Sequence, residues 1–108
     1  MITEVQINLL KEVIVETMHP ERIYIFGSYA TGIANEDSDL DILIEIESSD
    51  LRSAYRSAEV NSKLDKYKHL HFSKDIFVYT CPEVEKFSNN KYLFLSSILK
   101  SSKLIYEC

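Results

Sequence analysis

Residues 39–47, DLDILIEIE, alternate polar and apolar positions almost without a break, and no other segment constrains the chain as strongly. In a strand, successive side chains point to opposite faces. Leu40, Ile42, Ile44 and Ile46 then make one wholly apolar face, read as core, while Asp39, Asp41, Leu43 and Glu45 make the other. Asp39 and Asp41 open the strand with Cα atoms about 6.5–7 Å apart, close enough for the two carboxylates to converge on one point. Where the dielectric is low such a pair repels, and one member takes up a proton unless a cation intervenes. Oxygen-only ligands of this kind suit Mg²⁺ or Mn²⁺. Taken alone, a D-x-D is more often a solvated strand start with two surface acids.

The flanking sequence supplies the remaining elements. Thr3 caps a helix whose Val5, Ile7, Leu10, Val13, Ile14 and Met18 approximate helical spacing, and His19-Pro20 ends it. RIYIF (22–26) reads as a buried strand stopping at Gly27, Ser28–Gly32 as one helical turn or a tight loop, and 33–38 as a polar loop. Ser49 or Asp50 caps a helix running to about His69, with Leu51, Tyr55, Ala58, Val60 and Leu64 on or near its apolar side. KDIFVYT (74–80) is a third strand, and Pro82 with Glu83 and Glu85 opens a short helix. Asn89-Asn90 break the chain before a helix from about Lys91 to Lys100. Its Tyr92, Leu93, Leu95, Ile98 and Leu99 either close the core or meet a partner, and KLIYE ends the chain as a short edge strand. The expected fold is α/β (α+β), a small mixed sheet of three to four short strands with helices packed against it, in one domain over 1–108.

Charge and cysteine content narrow the function. Twelve Lys and Arg against 17 Asp and Glu give a net charge of −5, which argues against a nucleic-acid partner. No apolar run approaches the roughly 20 residues of a membrane span, and the N-terminus does not resemble a secretory signal, so a cytoplasmic protein is expected. Cys81 and Cys108 lie far apart with no C-x-x-C pair, so reduced thiols are expected and neither a disulfide framework nor a zinc site. His19, His69 and His71 are expected at the surface, the seven tyrosines in core and rim, and Glu45 as an exposed acid.

The chain has only two glycines where roughly seven or eight are usual, and both, Gly27 and Gly32, fall in FGSYATG. Backbone freedom or close approach is wanted there. A strand delivering Gly27-Ser28 into a helix start offers N–H groups and a hydroxyl to a phosphate, although alone it is an ordinary turn. Asp75 opens the third strand on the face of Phe77 and Tyr79. If that strand neighbours the second, Asp75 lies beside Asp39 and Asp41; alone it reads as a surface acid.

Together these residues form a compound pattern: G-S, ten intervening residues, D-L-D on a strand, then an acid opening a later strand. The pattern resembles the nucleotidyltransferase superfamily that includes DNA polymerase beta. The segment GSYATGIANEDSDLDILIE is especially similar to the minimal nucleotidyltransferases of bacteria and archaea, and ILKSSKLIYE is similar to the way those proteins finish. The resemblance implies the nucleotidyltransferase fold. It implies that Asp39 and Asp41 hold two Mg²⁺ ions, that Asp75 completes the one nearer an attacking hydroxyl, and that Gly27 and Ser28 hold the β- and γ-phosphates of ATP. The hydroxyl attacks the α-phosphorus in line and pyrophosphate leaves. Many relatives carry a basic residue where this chain has Thr31, a departure that puts one phosphate contact in doubt.

Many minimal nucleotidyltransferases are antitoxins that silence a HEPN-type ribonuclease toxin by adenylylating one of its tyrosines. The resemblance therefore implies AMP transfer to such a partner; from the charge and the lack of a membrane-length apolar run no direct nucleic-acid or membrane partner is expected, and a homo-oligomer stays open. The chain lacks the arginine–histidine pair of a HEPN ribonuclease, so it is not the toxin half. Two other classes remain. One is modification of a small molecule such as an aminoglycoside, for which relatives usually carry an extra C-terminal domain. The other is a non-catalytic module that blocks its partner sterically, against which the intact acids and Gly-Ser weigh.

Overall fold

A computed structural model of the protein describes residues 1–88 and 94–108. In chain order it contains α1 (Glu4–Met18), β1 (Arg22–Phe26), α2 (Ser28–Thr31), β2 (Leu40–Ile46), α3 (Ser53–Leu64), a 3₁₀ turn (Lys68–Leu70), β3 (Lys74–Thr80), α4 (Cys81–Ser88), α5 (Phe94–Ser101) and β4 (Lys103–Glu107). The strands form one mixed sheet in the order β3-β2-β1-β4. β1 is antiparallel to both β2 and β4, whereas β2 and β3 are parallel. A parallel pair needs a long crossover, which α3 and the 3₁₀ turn provide. The expected α/β class, its mixed sheet and its edge strand at KLIYE are all present.

Helix α1 starts as its sequence dictates. Gln6 N–H donates to Thr3 Oγ1 at 3.1 Å and Thr3 N–H donates to Gln6 Oε1 at 2.8 Å, a reciprocal capping box. It ends at His19, in the left-handed region with φ 49°, whose N–H returns to Val15 O. Leu10, Val13 and Ile14 of α1, with Val60 and Leu64 of α3 and Leu70, pack against Ile23, Ile25, Leu40, Ile42, Ile44, Ile46, Ile76 and Val78 on one face of the sheet. The opposite face holds a smaller cluster of Phe26, Leu43 and Ile98, with Tyr24, Phe77, Tyr79, Val84, Phe87 and Leu99 around it. Ile98 therefore closes the core. Among the described residues no helix is long and apolar enough to cross a membrane.

Three expectations need correction. First, Glu45 is not an exposed acid: it is 4% exposed, bound by Arg22 at 3.1 Å and hydrogen-bonded by the Cys81 thiol. Strand β2 is central and covered on both faces, so its alternation does not separate core from solvent. Second, α3 begins at Ser53 with Arg52 as its cap, not after Ser49 or Asp50, because the Ser49 hydroxyl accepts from Leu51 N–H at 3.0 Å and turns the chain first. Third, α3 ends at Leu64, and the chain resumes as the 3₁₀ turn before His71. Leu51, Tyr55 and Ala58, placed on its apolar side, are exposed, whereas Val60 and Leu64 are buried. The Asn89-Asn90 break, the helix start at Lys91 and the side chains of Tyr92 and Leu93 lie outside the described residues. His19, His69 and His71 are all exposed, as expected.

Thr80 and Glu83 build a second capping box at the start of α4. Thr80 N–H donates to Glu83 Oε1 at 2.7 Å and Glu83 N–H donates to Thr80 Oγ1 at 3.3 Å. Glu83 also pairs with the buried Arg56 of α3, which donates onward to Leu51 O and Val78 O. One ion pair thus ties α3, β3 and α4 together.

Burial alone would raise the Glu83 carboxyl, but hydrogen bonds from Arg56 and Thr80, with the Arg56 charge, outweigh it and hold the group below its ordinary range. The contribution is complete above the unfolded pKa, about 4.3, and is lost as pH falls through the lower folded value. Glu83→Gln should destabilise the protein by about 1–3 kcal/mol near neutrality. Urea melts should show that difference shrinking below about pH 4; a difference independent of pH would contradict the account. The thiols should also diverge. Burial, with the neighbouring Glu45, pushes Cys81 up to about 11, while Cys108 is exposed. Iodoacetamide should label Cys108 well before Cys81 in the native protein, and equal rates would refute the Cys81–Glu45 contact.

Candidate active site

The sheet topology brings three chain segments to one end. Because β1 and β2 are antiparallel, the last residue of β1, Phe26, pairs with Asp41 near the start of β2. Because β3 runs parallel to β2, its start lies at the same end, and Asp75 stands opposite Asp41. Asp41 and Asp75 share the face of Leu43 and Phe77, opposite the larger core.

Gly27 completes the corner. Its φ of 70° and ψ of −150° fall in a region essentially reserved for glycine. A Cβ built there would land on the Asp41 carboxylate, only 3.2 Å from its Cγ. Glycine is needed twice over, for backbone conformation and for the space that the carboxylate fills. Ser28 follows as the first residue of α2, half-buried. Gly27 O accepts from Ala30 N–H and Thr31 N–H at 3.1 and 3.2 Å, and Gly32 turns the chain away with φ 81°. Tyr29 anchors this turn, its hydroxyl accepting from Ile2 N–H at 3.1 Å. Thr31 is exposed and donates back to Gly27 O at 3.3 Å, so its hydroxyl is spent within the turn.

Of the three acids, Asp41 and Asp75 stand directly opposite each other on paired strands, and Asp39 acts on Asp41 as a nearby charge. Strand β3 does neighbour β2, so Asp75 lies beside the Asp39/Asp41 pair as expected, with the register setting it opposite Asp41. Burial first, then the Asp75 charge, the hydrogen bond with Asp75 and the Asp39 charge all raise the Asp41 carboxyl above its ordinary value. Asp39 and Asp75 are exposed and Asp41 is half-buried. Among the described residues no set of three or more His, Cys, Asp or Glu side chains is gathered as a metal cluster.

A cavity of about 270 Å³ lies beside this corner, lined by Tyr29, Glu36, Asp37, Ser38, Phe72 and Ser73 among others. Its rim at 36–38 is shaped by Asn35, whose Oδ1 accepts from Asp37 N–H at 2.8 Å. A larger cavity of about 380 Å³ sits at the far end of β2, against Ile46, Glu47, Arg56 and Lys63, away from all three aspartates. Sequence reasoning missed the contact between Gly27 and Asp41; the scarcity of glycine was the available signal.

This geometry sets opposite expectations for two substitutions. Gly27→Ala should destabilise by about 1–3 kcal/mol through backbone strain alone and displace Asp41 as well. Asp41→Asn should do the reverse. Between the ordinary carboxylate pKa and the raised folded value, the native state binds more protons than the unfolded chain, so stability falls as pH rises through that window. In metal-free buffer the Asn variant should melt above the parent at about pH 7 and lose that advantage at about pH 3. A variant less stable than the parent at neutrality would refute the repulsion.

The family described as Polymerase beta, Nucleotidyltransferase matches residues 8–108. A crystal structure from Sulfolobus solfataricus, of a protein provisionally designated a nucleotidyltransferase, superposes with a TM-score of 0.58. It covers 96% of this chain and 85% of the other, and at 23% identity the likeness is one of fold. No curated protein matches the sequence significantly. With nearly the whole chain matched by the family model, this protein belongs to the Polymerase beta nucleotidyltransferase family.

Proposed function

We propose that this chain transfers AMP from ATP to a hydroxyl with divalent metal, and that the acceptor is a tyrosine of a partner HEPN-type toxin, for which it serves as a minimal-nucleotidyltransferase antitoxin. The observation that carries the reading is the Asp41–Asp75 contact at the Gly27 corner: two carboxylates held together with no cationic side chain paired to them among the described residues.

The donor chemistry fits Mg²⁺. The groups at the corner are hard carboxylate oxygens, and a cation there would offset the repulsion that raises the Asp41 carboxyl. Asp39 and Asp41 would hold the ions and Asp75 would complete the one nearer the acceptor. Bound metal offsets phosphate charge and makes the acceptor hydroxyl easier to deprotonate. The chain's own residues do the rest. Asp75, exposed at the strand start, is placed to receive the acceptor's proton. Gly27, lacking a side chain, lets a polyphosphate approach the backbone, while the Ser28 hydroxyl and the first N–H groups of α2, which have no carbonyl partner within the helix, are donors to the β- and γ-phosphates. Holding the α-phosphorus in line with the acceptor supplies much of the rate. Asp39 and Asp75 stand on an exposed sheet end, which suits an acceptor presented by another protein, and the net charge of −5 suits a partner whose own substrate is RNA.

The test incubates the protein with α-labelled ATP, Mg²⁺ and a HEPN-type protein or a lysate of its source, beside Asp39→Ala and Asp41→Asn. Label should appear on a protein of the partner's mass, require Mg²⁺, and fall at least about 10³-fold in either variant, with both variants still folding cooperatively. Label on a small molecule alone would move the acceptor to that class. ATP and Mg²⁺ binding without any transfer, or no binding, would leave a steric module, and loss of cooperative folding in either variant would count against the assignment.

A further inference from the structure

Asp75 is exposed and sits at the second residue of β3, where a strand frays most easily, yet the proposed site needs it against Asp41. The neighbouring Lys74 supplies a restraint. It points to the opposite face, as strand geometry requires, and its ammonium donates to Leu70 O at 2.7 Å and Phe72 O at 3.4 Å. The same ammonium stands 5.2 Å from the centroid of the Phe72 ring. Leu70 ends the 3₁₀ turn and is wholly buried in the larger core. The lysine therefore closes the 70–74 corner onto a fixed point. Ser73 O, inside that corner, accepts from Leu40 N–H at 3.1 Å, the first link between β3 and β2. Leu40 then pairs with Lys74 and Asp41 with Asp75.

We infer that Lys74 is a positioning residue that holds the start of β3 in register, so that Asp75 meets Asp41. The inference rests on the proposed metal-dependent reading for its consequence, but the restraint itself can be measured without metal. Outer-shell groups that orient a metal ligand typically change affinity by about 10–100-fold when lost. Lys74→Met keeps the apolar stem and removes the donors.

The experiment compares the full-length parent with Lys74→Met, Lys74→Arg and Asp75→Asn by Mn²⁺ titration and by amide hydrogen exchange of the metal-free protein. Lys74→Met should weaken Mn²⁺ binding about tenfold or more. It should also speed exchange at Leu40 and Asp75 relative to Ile23 and Ile25, whose strand pairs with β2 and β4 and not with β3. Lys74→Arg, which keeps charge and donors, should restore most of both properties. With ATP and acceptor present, the Met variant should lose kcat rather than raise KM. Exchange at Leu40 and Asp75 no faster than in the parent would overturn the inference, and so would parental Mn²⁺ affinity in Lys74→Met when Asp75→Asn loses it. If Asp75→Asn itself keeps parental affinity, the metal reading fails, and the exchange result alone decides whether Lys74 holds the strand. If Lys74→Met does not fold, Lys74→Gln replaces it under the same criteria.

Discussion

Parallel pairing of β2 with β3 places Asp41 and Asp75 side by side, and the surrounding structure has to tolerate that. Two like charges about 4 Å apart repel by about 4 kcal/mol at the effective dielectric of a protein surface. The repulsion is carried by a scaffold that holds Asp41 in place. Leu40, Ile42, Leu43 and Ile44, immediately around and after Asp41, are each at most 1% exposed, so β2 cannot shift. Gly27 seals the other side of the Asp41 carboxylate. Asp75 lacks such enclosure, and its place depends on how β3 begins.

Much of the fold is legible in the sequence because local signals and global packing agree. Thr3 and Gln6 start α1, His19-Pro20 stops it, and RIYIF and KDIFVYT become strands with the bounds their composition suggests. The departures come where tertiary context overrules a local rule. DLDILIEIE reads as a strand with one wet face, but a central strand with helices on both sides has none, which is why Leu43 and Glu45 are both buried. Ser49 has the chemistry of a helix cap and uses it in a turn four residues before α3 begins. Leu51 precedes the helix, and Tyr55 lies off the buried stripe that Arg56, Val60 and Leu64 make at four-residue spacing.

The candidate site was legible in its members but not in its contacts. Gly27-Ser28, the D-L-D triplet and Asp75 are all visible as residue types at suggestive spacings, and the structure gathers Gly27, Asp41 and Asp75 at one corner with Ser28 and Asp39 beside them. What periodicity cannot supply is register. Asp39 and Asp41 are neighbours in sequence, yet Asp41 spends its contact on Asp75, 34 positions away. Lys74 was equally invisible as anything but a charge, since its carbonyl partners exist only once the 70–74 corner has folded.

The same chain handles its other buried acids quite differently, and the contrast bears on what the aspartates are for. Glu45, almost fully enclosed, has Arg22 at 3.1 Å, and Arg22 reaches on to Glu107 at 2.9 Å to staple β4 to the sheet. Glu83 has Arg56, itself buried and bonded to two carbonyls. In each case a guanidinium stands where burial would otherwise penalise a negative charge, the arrangement expected of a structural carboxylate. At the Gly27 corner there is no such partner among the described residues: Asp41 faces burial, Asp75 and Asp39, and all three push its charge toward neutrality. A fold that places arginines so economically elsewhere has left one set of carboxylates uncompensated, at the sheet end where Gly27 bares the backbone. Perturbed, unbalanced acids of this kind are where function concentrates. A cation from outside the chain is the partner that would complete them, just as Arg22 completes Glu45.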